Sequence, residues 1–158
     1  MKIAKTNAAR LLDSLKIPYT MHQGEVDLKD LSAVTMAASL GEDPDRVFKT
    51  LVCRGEPLGI LMACIPAACQ LNLKSLAEIS KNKRVEMVHL NEVFGLTGYV
   101  RGGCSPLAAK KPYPVYIDET AILYPTIFVS AGQRGIQLEL AADDLITACH
   151  GTLSDLTA

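Results

Sequence analysis

The chain has no tryptophan, and aromatic residues make up only 5% of its 158 residues. Its core must therefore be aliphatic. Neither charge dominates: 16 basic and 17 acidic residues leave a formal net charge of −1. This excludes a strongly basic nucleic-acid binder, but not one that meets RNA through a small local patch. Long hydrophobic runs are missing too. The longest, Gly59 to Cys69, contains Pro66 and is too short to span a bilayer. The opening residues, Met1-Lys2-Ile3-Ala4-Lys5-Thr6-Asn7, lack the apolar segment of a secretion signal, so the expected location is cytoplasmic. The five cysteines, an odd number in a chain with no export signal, do not suggest a disulfide framework. Cys64 and Cys69 have no second pair to complete a zinc site, and no His-Glu-x-x-His element accompanies them. Neither metal nor cofactor is expected. No repeat, linker or low-complexity tract divides the chain, and residues 1–158 are expected to form one domain. At 49% apolar and 21% charged, the composition builds a core and excludes intrinsic disorder.

Ala8, Leu11, Leu12 and Leu15 recur at helical spacing and predict an opening helix, ended by Ile17-Pro18. Tyr19 to Gln23 reads as a short strand. Leu31, Val34 and Ala38 mark a second helix, stopped at Gly41. Asp43-Pro44 starts a brief helix, with Asp as cap and Pro at the first helical position. Lys49 to Arg54 and Gly59 to Ile65 are strand-like runs joined by a hairpin turn at Gly55-Glu56-Pro57-Leu58. Asn72 caps a helix carrying Leu76, Ala77 and Ile79. Val85 to His89 alternates like a half-buried strand, and Asn91 to Gly95 reads as a short helix. Tyr113 to Asp118, Thr126 to Ser130 and Ile136 to Leu140 are three more strands, followed by a helix over Ala142 to Cys149. Strict β-α alternation is missing. That predicts an α+β fold with a mixed or antiparallel sheet, not a doubly wound one.

Several residues could carry chemistry. Cys104 lies in a glycine-rich loop that could expose a nucleophile, but His22, His89 and His150 stand at no recognisable spacing from it. A small apolar filler is the plainer reading. Gly102-Gly103-Cys104-Ser105-Pro106 reads either as a tight turn or as a loop whose amides cradle a phosphate or oxyanion. Ser130-Ala131-Gly132-Gln133-Arg134-Gly135 reads either as a hairpin connection or as a hydroxyl and a fixed cation suited to a ribose or phosphate. Lys49, at the start of an apolar strand, is either snorkelling or meets a ligand. Asp143-Asp144 suits the first turn of the last helix. Lys81-Asn82-Lys83-Arg84 and Lys110-Lys111 are solvated faces or contacts for a nucleic-acid backbone.

Taken in order, Lys49-Thr50-Leu51, Leu71-Asn72-Leu73-Lys74, Val85-Glu86-Met87, Thr97-Gly98-Tyr99, the Gly102–Pro106 loop, Lys110-Lys111, Val129 to Gly135 and Glu139-Leu140-Ala141 resemble the YbaK/EbsC family of free-standing aminoacyl-tRNA editing proteins. The resemblance runs from the first helix to Asp144-Leu145. It implies a mixed, barrel-like β-sheet surrounded by helices. It also implies trans-editing hydrolysis of mischarged tRNA, with Cys-tRNA(Pro) as the expected substrate. Cysteine and proline are close in size, and small size differences give only about 1–3 kcal/mol of discrimination, so a second sieve is needed. In the family mechanism the substrate thiol attacks its own ester carbonyl, and the enzyme only orients the substrate and stabilises the oxyanion.

Residue by residue, the resemblance implies that Lys49 positions the aminoacyl-adenosine end, with Thr50 beside it. Gly102 and Gly103 would contact the oxyanion or the substrate, and Ser105 and Pro106 would complete their loop. Ser130, Gly132, Arg134 and Gly135 would form the second substrate loop. Asp144 would be an acidic group near the pocket that orients Lys49 or the substrate amine. Lys49, Gly103 and Asp144 are the expected catalytic set. Gly24 stands where many members carry tyrosine, which implies a larger or more open pocket. Ala131 and Gln133 replace commoner glycine and lysine. Alternatives are a deacylase for alanyl-, seryl- or threonyl-tRNA and a non-catalytic module that binds tRNA or a synthetase. The small net charge predicts weak intrinsic tRNA affinity and a ternary complex with prolyl-tRNA synthetase. Neither a membrane nor DNA is an expected partner.

Overall fold

Short polar caps start most of the helices. The Thr6 hydroxyl accepts the Ala9 N–H and opens α1 (Asn7–Ser14), which buries Ala8, Ala9 and Leu12. Ser32 caps α2 (Ala33–Leu40), which ends at Gly41 in the left-handed region. Asp43 caps a single 3-10 turn over Pro44–Arg46. Asn72 caps α3 (Leu73–Ser80), and α5 (Ala142–Cys149) closes the helical set. The protein is seen in a computed structural model that describes residues 3–158.

Among the described residues, eight strands form two sheets. The larger has the order β4-β2-β3-β5-β8. Its centre is the hairpin of β2 (Phe48–Glu56) and β3 (Gly59–Pro66), aligned from Phe48–Pro66 to Gly55–Gly59. β4 (Arg84–Met87) pairs antiparallel with β2, while β5 (Val115–Asp118) and β8 (Thr152–Ser154) continue in parallel beyond β3. The sheet is therefore mixed, as expected for this α+β chain. The smaller sheet, β1-β7-β6, is antiparallel and joins β1 (Thr20–Gln23), β7 (Ile136–Leu140) and β6 (Ile127–Gln133).

The two sheets do not close into a barrel. Their contact is a parallel bridge between Val47 and Phe128. Beyond it β4 takes only Cys53 to Glu56 of β2, because the chain leaves β4 at Met87 and turns into the 3-10 segment Leu90–Glu92 and α4 (Val93–Thr97). Among the described residues, Phe48 to Leu51 thus have no strand paired along that side. The alternation of β2 splits the core. Phe48 and Val52 join the main cluster with α1, α5 and the smaller sheet, while Cys53 faces α3 with Leu61, Ala63 and Ile65.

Two expectations shift. α2 buries Ala37, whereas Val34 is 43% exposed and Leu31 precedes the helix, so the apolar stripe read from the sequence is not the packed face. β8 is too short to show in a pattern. It exists because β5 offers a parallel edge and because buried Asp118 Oδ1 accepts the Leu156 N–H at 2.9 Å.

A polar clasp fastens the sheets beside the bridge. Arg46 donates to the Thr126 carbonyl at 3.1 Å and hydroxyl at 2.7 Å, lies 3.4 Å from Glu139 and stacks over Phe128. Glu139 also accepts from Thr126 and pairs with His22 at 2.8 Å. The Thr126 hydroxyl, then burial opposing it, then His22 and Arg46 set the Glu139 carboxyl below the usual 4.5. Its stabilisation is then complete above the unfolded value and lost as pH falls through the folded one. Glu139→Gln should cost about 1–2 kcal/mol near pH 7, roughly 2–8 °C in Tm. Melting curves from pH 7 to pH 3 should show the gap to wild type closing toward acid. A gap constant with pH would refute the assignment.

Candidate active site

A cavity of about 370 Å3 opens along the unpaired edge of β2. This is within the ordinary range for a small-molecule site. Its walls are residues 25–36, the edge Val47–Val52, the loop around Gly102, and the β6–β7 hairpin. Lys49, Thr50, Gly102, Ser130, Arg134 and Gly135 all line it, although they come from three separate stretches of sequence. A larger groove of about 720 Å3 lies between Ile3-Ala4-Lys5 and Tyr19, but its polar groups satisfy one another: Asp13 accepts from Lys5 and Tyr19.

The edge strand offers backbone as well as side chains. Val52 O accepts from Val88, and Glu56 O accepts from Lys83, so even-numbered residues of β2 turn their N–H and C=O away from β3. Thr50 then presents both groups to the cavity. Its hydroxyl points elsewhere, 3.6 Å from Cys64 Sγ. Lys49 Nζ donates to the Ala67 carbonyl at 3.0 Å. Burial, partly offset by Cys69, lowers its pKa, and among the described residues it forms no ion pair.

Ser130 is buried, and its Oγ accepts the Gly132 N–H at 3.1 Å. The hydroxyl proton is left for a ligand. Arg134 Nε donates to the Arg101 carbonyl at 2.7 Å, which ties the hairpin to the glycine loop. Gly103, Ser105, Pro106 and Gly132 do not line the cavity. The Gly103 N–H is already bonded to Val100 O, and a Cβ there would stand 3.1 Å from the Arg134 nitrogen. Ser105 is fully buried, and its Oγ accepts the Leu107 N–H at 3.2 Å. Gly132 has φ +95° and lies against the Tyr99 ring, with no room for a side chain. These residues shape the loops that carry the lining ones.

Asp144 is not brought to the site. The stripe Ala142, Leu145 and Ala148 packs α5 onto the core, and Asp144 neither lines the cavity nor pairs with Lys49. Gly24 also departs from expectation. A Cβ there would overlap Ser39 and Met36 of α2, so a ring at this position would press on the helix instead of filling the cavity. Met36 lines the cavity in its place.

The sequence reading missed Gln137. It is 6% exposed, lines the cavity, and its Oε1 has no hydrogen-bond partner among the described residues. Ile136-Gln137-Leu138-Glu139-Leu140 alternates like a strand with one wet face, and that pattern conceals its burial. The available signal was the hairpin itself, which pairs Gln137 with Ser130. A buried acceptor without a donor is costly, so it asks for one from whatever fills the cavity.

The one thiol of the cavity is Cys104, and burial pushes its pKa up to about 11. It is protonated at neutral pH and is not an activated nucleophile. Among the described residues no group of three His, Cys, Asp or Glu could hold a metal, and no helix is long and apolar enough to cross a membrane.

Cys104→Ala should retain turnover within about threefold, because an unactivated thiol supplies no nucleophile. Abolished turnover in a protein that still melts cooperatively would restore Cys104 as a nucleophile. Gln137→Met should raise the Tm of the free protein while lowering kcat/KM. Loss of both stability and activity would instead make Gln137 a structural residue.

Comparison with known proteins identifies the family. A model of the aminoacyl-tRNA editing domain matches residues 27–148, which include every lining residue named above except Glu25 and Val26 at the rim. The chain is 44% identical over 153 residues to EbsC of Enterococcus faecalis, covering 97% of this chain and 93% of that protein. The name of that relative proposes a Cys-tRNA(Pro)/Cys-tRNA(Cys) deacylase. YwhH of Bacillus subtilis, uncharacterised, is 26% identical over 139 residues, covering 85% of this chain and 88% of its own. Two solved structures share the fold. The hypothetical protein APE2540 aligns with a TM-score of 0.87 at 22% identity over 97% of this chain and 100% of its own. A protein described as a proposed trans-editing enzyme for prolyl tRNA synthetase aligns with a TM-score of 0.80 at 21% identity over 99% of each chain. On the family match and the EbsC identity, the chain belongs to the aminoacyl-tRNA editing family.

Proposed function

We propose that the cavity removes cysteine from Cys-tRNA(Pro) by using the substrate's own thiol. The observation that carries this reading is chemical. The lining residues supply donors and an acceptor around a space, and the protein thiol among them is held protonated. An aminoacyl ester needs just such partners. Its carbonyl accepts from the Ser130 hydroxyl or the Thr50 N–H, and its α-ammonium donates to Gln137 Oε1. Lys49 and Arg134 hold the terminal nucleotide through its phosphate and ribose.

The substrate sulfur then attacks the ester carbonyl carbon. The C–O bond to the ribose breaks, the electron pair leaves on the ribose oxygen, and the proton lost by the thiol ends on that oxygen. The product is a cysteine thiolactone, which water opens afterwards. Fixing sulfur and carbonyl in reach of each other replaces a protein nucleophile. Docking on prolyl-tRNA synthetase would supply the selection of tRNA(Pro) that a net charge of −1 does not. Tight, selective binding of tRNA(Pro) by the protein alone in a gel shift would contradict this part.

The test is deacylation of cysteinyl-tRNA(Pro) and alanyl-tRNA(Pro) side by side, with Lys49→Ala as control. Loss of the cysteinyl ester only, reduced about 100-fold or more in Lys49→Ala, is the expected result. Equal or faster loss of the alanyl ester would assign the protein to an editing activity that needs an activated water. No loss of either would leave a binding module.

A further inference from the structure

The rim of the cavity carries charges of both signs. Residues 25–32 bring Glu25, Asp27, Lys29 and Asp30. Arg101 and Arg134 stand on the segments packed beside them, where Gly102 lies against Leu31 and Gly135 against Val26, and the lining also includes an exposed apolar surface. Leu90, which lines the cavity, is 60% exposed, and Phe94 is 62% exposed. The 3-10 segment Leu90–Glu92 runs directly into α4, so residues four apart fall on one face. Just past Phe94, Lys110 Nζ reaches within 3.5 Å of the Gly95 carbonyl, and Lys111 follows, also exposed. Among the described residues Arg101, Arg134, Lys110 and Lys111 form no ion pair.

We infer that this strip, from Arg101 and Leu90 across Phe94 to Lys110, receives the single-stranded 3′ end of the tRNA. The inference rests on the proposed function, which puts the terminal adenosine in the cavity and requires the preceding nucleotides to leave through its mouth. An exposed ring, with a cation that forms no ion pair among the described residues next to it, is what a single strand needs: a face for a base and a charge for a neighbouring phosphate. A protein partner would favour an apolar centre depleted of charge, which this strip is not. Few phosphates are engaged, in keeping with the near-neutral charge of the whole chain.

The probe is a fluorescently labelled RNA hairpin ending in a single-stranded ACCA 3′ tail, compared with the same hairpin made blunt. Phe94→Leu should weaken binding of the tailed hairpin about tenfold, and Phe94→Trp should not. Lys110→Gln should weaken it and lower the slope of log K against log salt by about 0.7. Turnover of a small ester, cysteinyl-adenosine, should be unchanged in all three. Phe94 and Lys110 are exposed, so folding should survive, which melting curves check. The inference is overturned if the blunt hairpin binds as well as the tailed one, or if Phe94→Leu binds like wild type. It is also overturned if the variants lose activity only when prolyl-tRNA synthetase is present, since the strip would then be a protein surface. The two readings separate cleanly. Phe94-dependent binding without hydrolysis of any charged substrate sinks the deacylation reading and leaves the strip. Hydrolysis of charged tRNA that ignores Phe94 does the reverse.

Discussion

On the side of β2 away from β3, β4 pairs Cys53 to Glu56, and the smaller sheet touches the chain at Val47. Between these contacts, among the described residues, no strand pairs with it. An unpaired, partly buried backbone is expensive unless something bonds to it. The fold leaves it open because β4 ends at Met87 and because the clasp of Arg46, Thr126 and Glu139 holds the smaller sheet at a fixed distance. The cavity is the space this arrangement creates, and its walls are the elements that would otherwise have closed a barrel.

The glycines are best understood from the same gap. Gly103 lets the loop come down onto the β6–β7 hairpin, where Arg134 grips the Arg101 carbonyl, while Gly102 lies against Leu31. Gly132 clears the Tyr99 ring, whose hydroxyl in turn holds the Leu107 carbonyl at 2.6 Å. The result is a rigid second wall facing the β2 edge. Rigidity matters for a reaction in which the enzyme contributes position more than functional groups. Residues that support the loop without reaching the cavity, Ser105 and Pro106 among them, serve that purpose.

Three uncharged groups stand out in the lining of the cavity. Ser130 has a proton to give, Gln137 has an acceptor to fill, and Cys104 is held in its neutral form. None of these is reactive alone. An orphaned acceptor and a desolvated lysine both store free energy in the empty state that a matching ligand releases. The destabilised groups are concentrated at one site, while the equally polar network of Arg46, Glu139 and His22 a few residues away is internally satisfied.

Local features were legible in the sequence. Asp43-Pro44, Asn72 and Gly41 marked element ends through chemistry that acts within one turn of chain. The ordered motifs around Lys49, Gly102 and Ser130 marked the stretches that meet at the cavity. What they could not carry was burial, which depends on what covers a surface. Val34 looked like core and is exposed. Gln137 looked solvated and is buried, because α2 and residues 25–32 lie over its sheet face. Asp144 matched by position but neither lines the cavity nor pairs with Lys49. The sequence by itself determined most of the elements, several of their caps and the family, since caps, periodicity and motif order are short-range properties. Only the tertiary structure decided the half-paired edge of β2, because a missing neighbour is a fact about the other strands and not about the strand that lacks it.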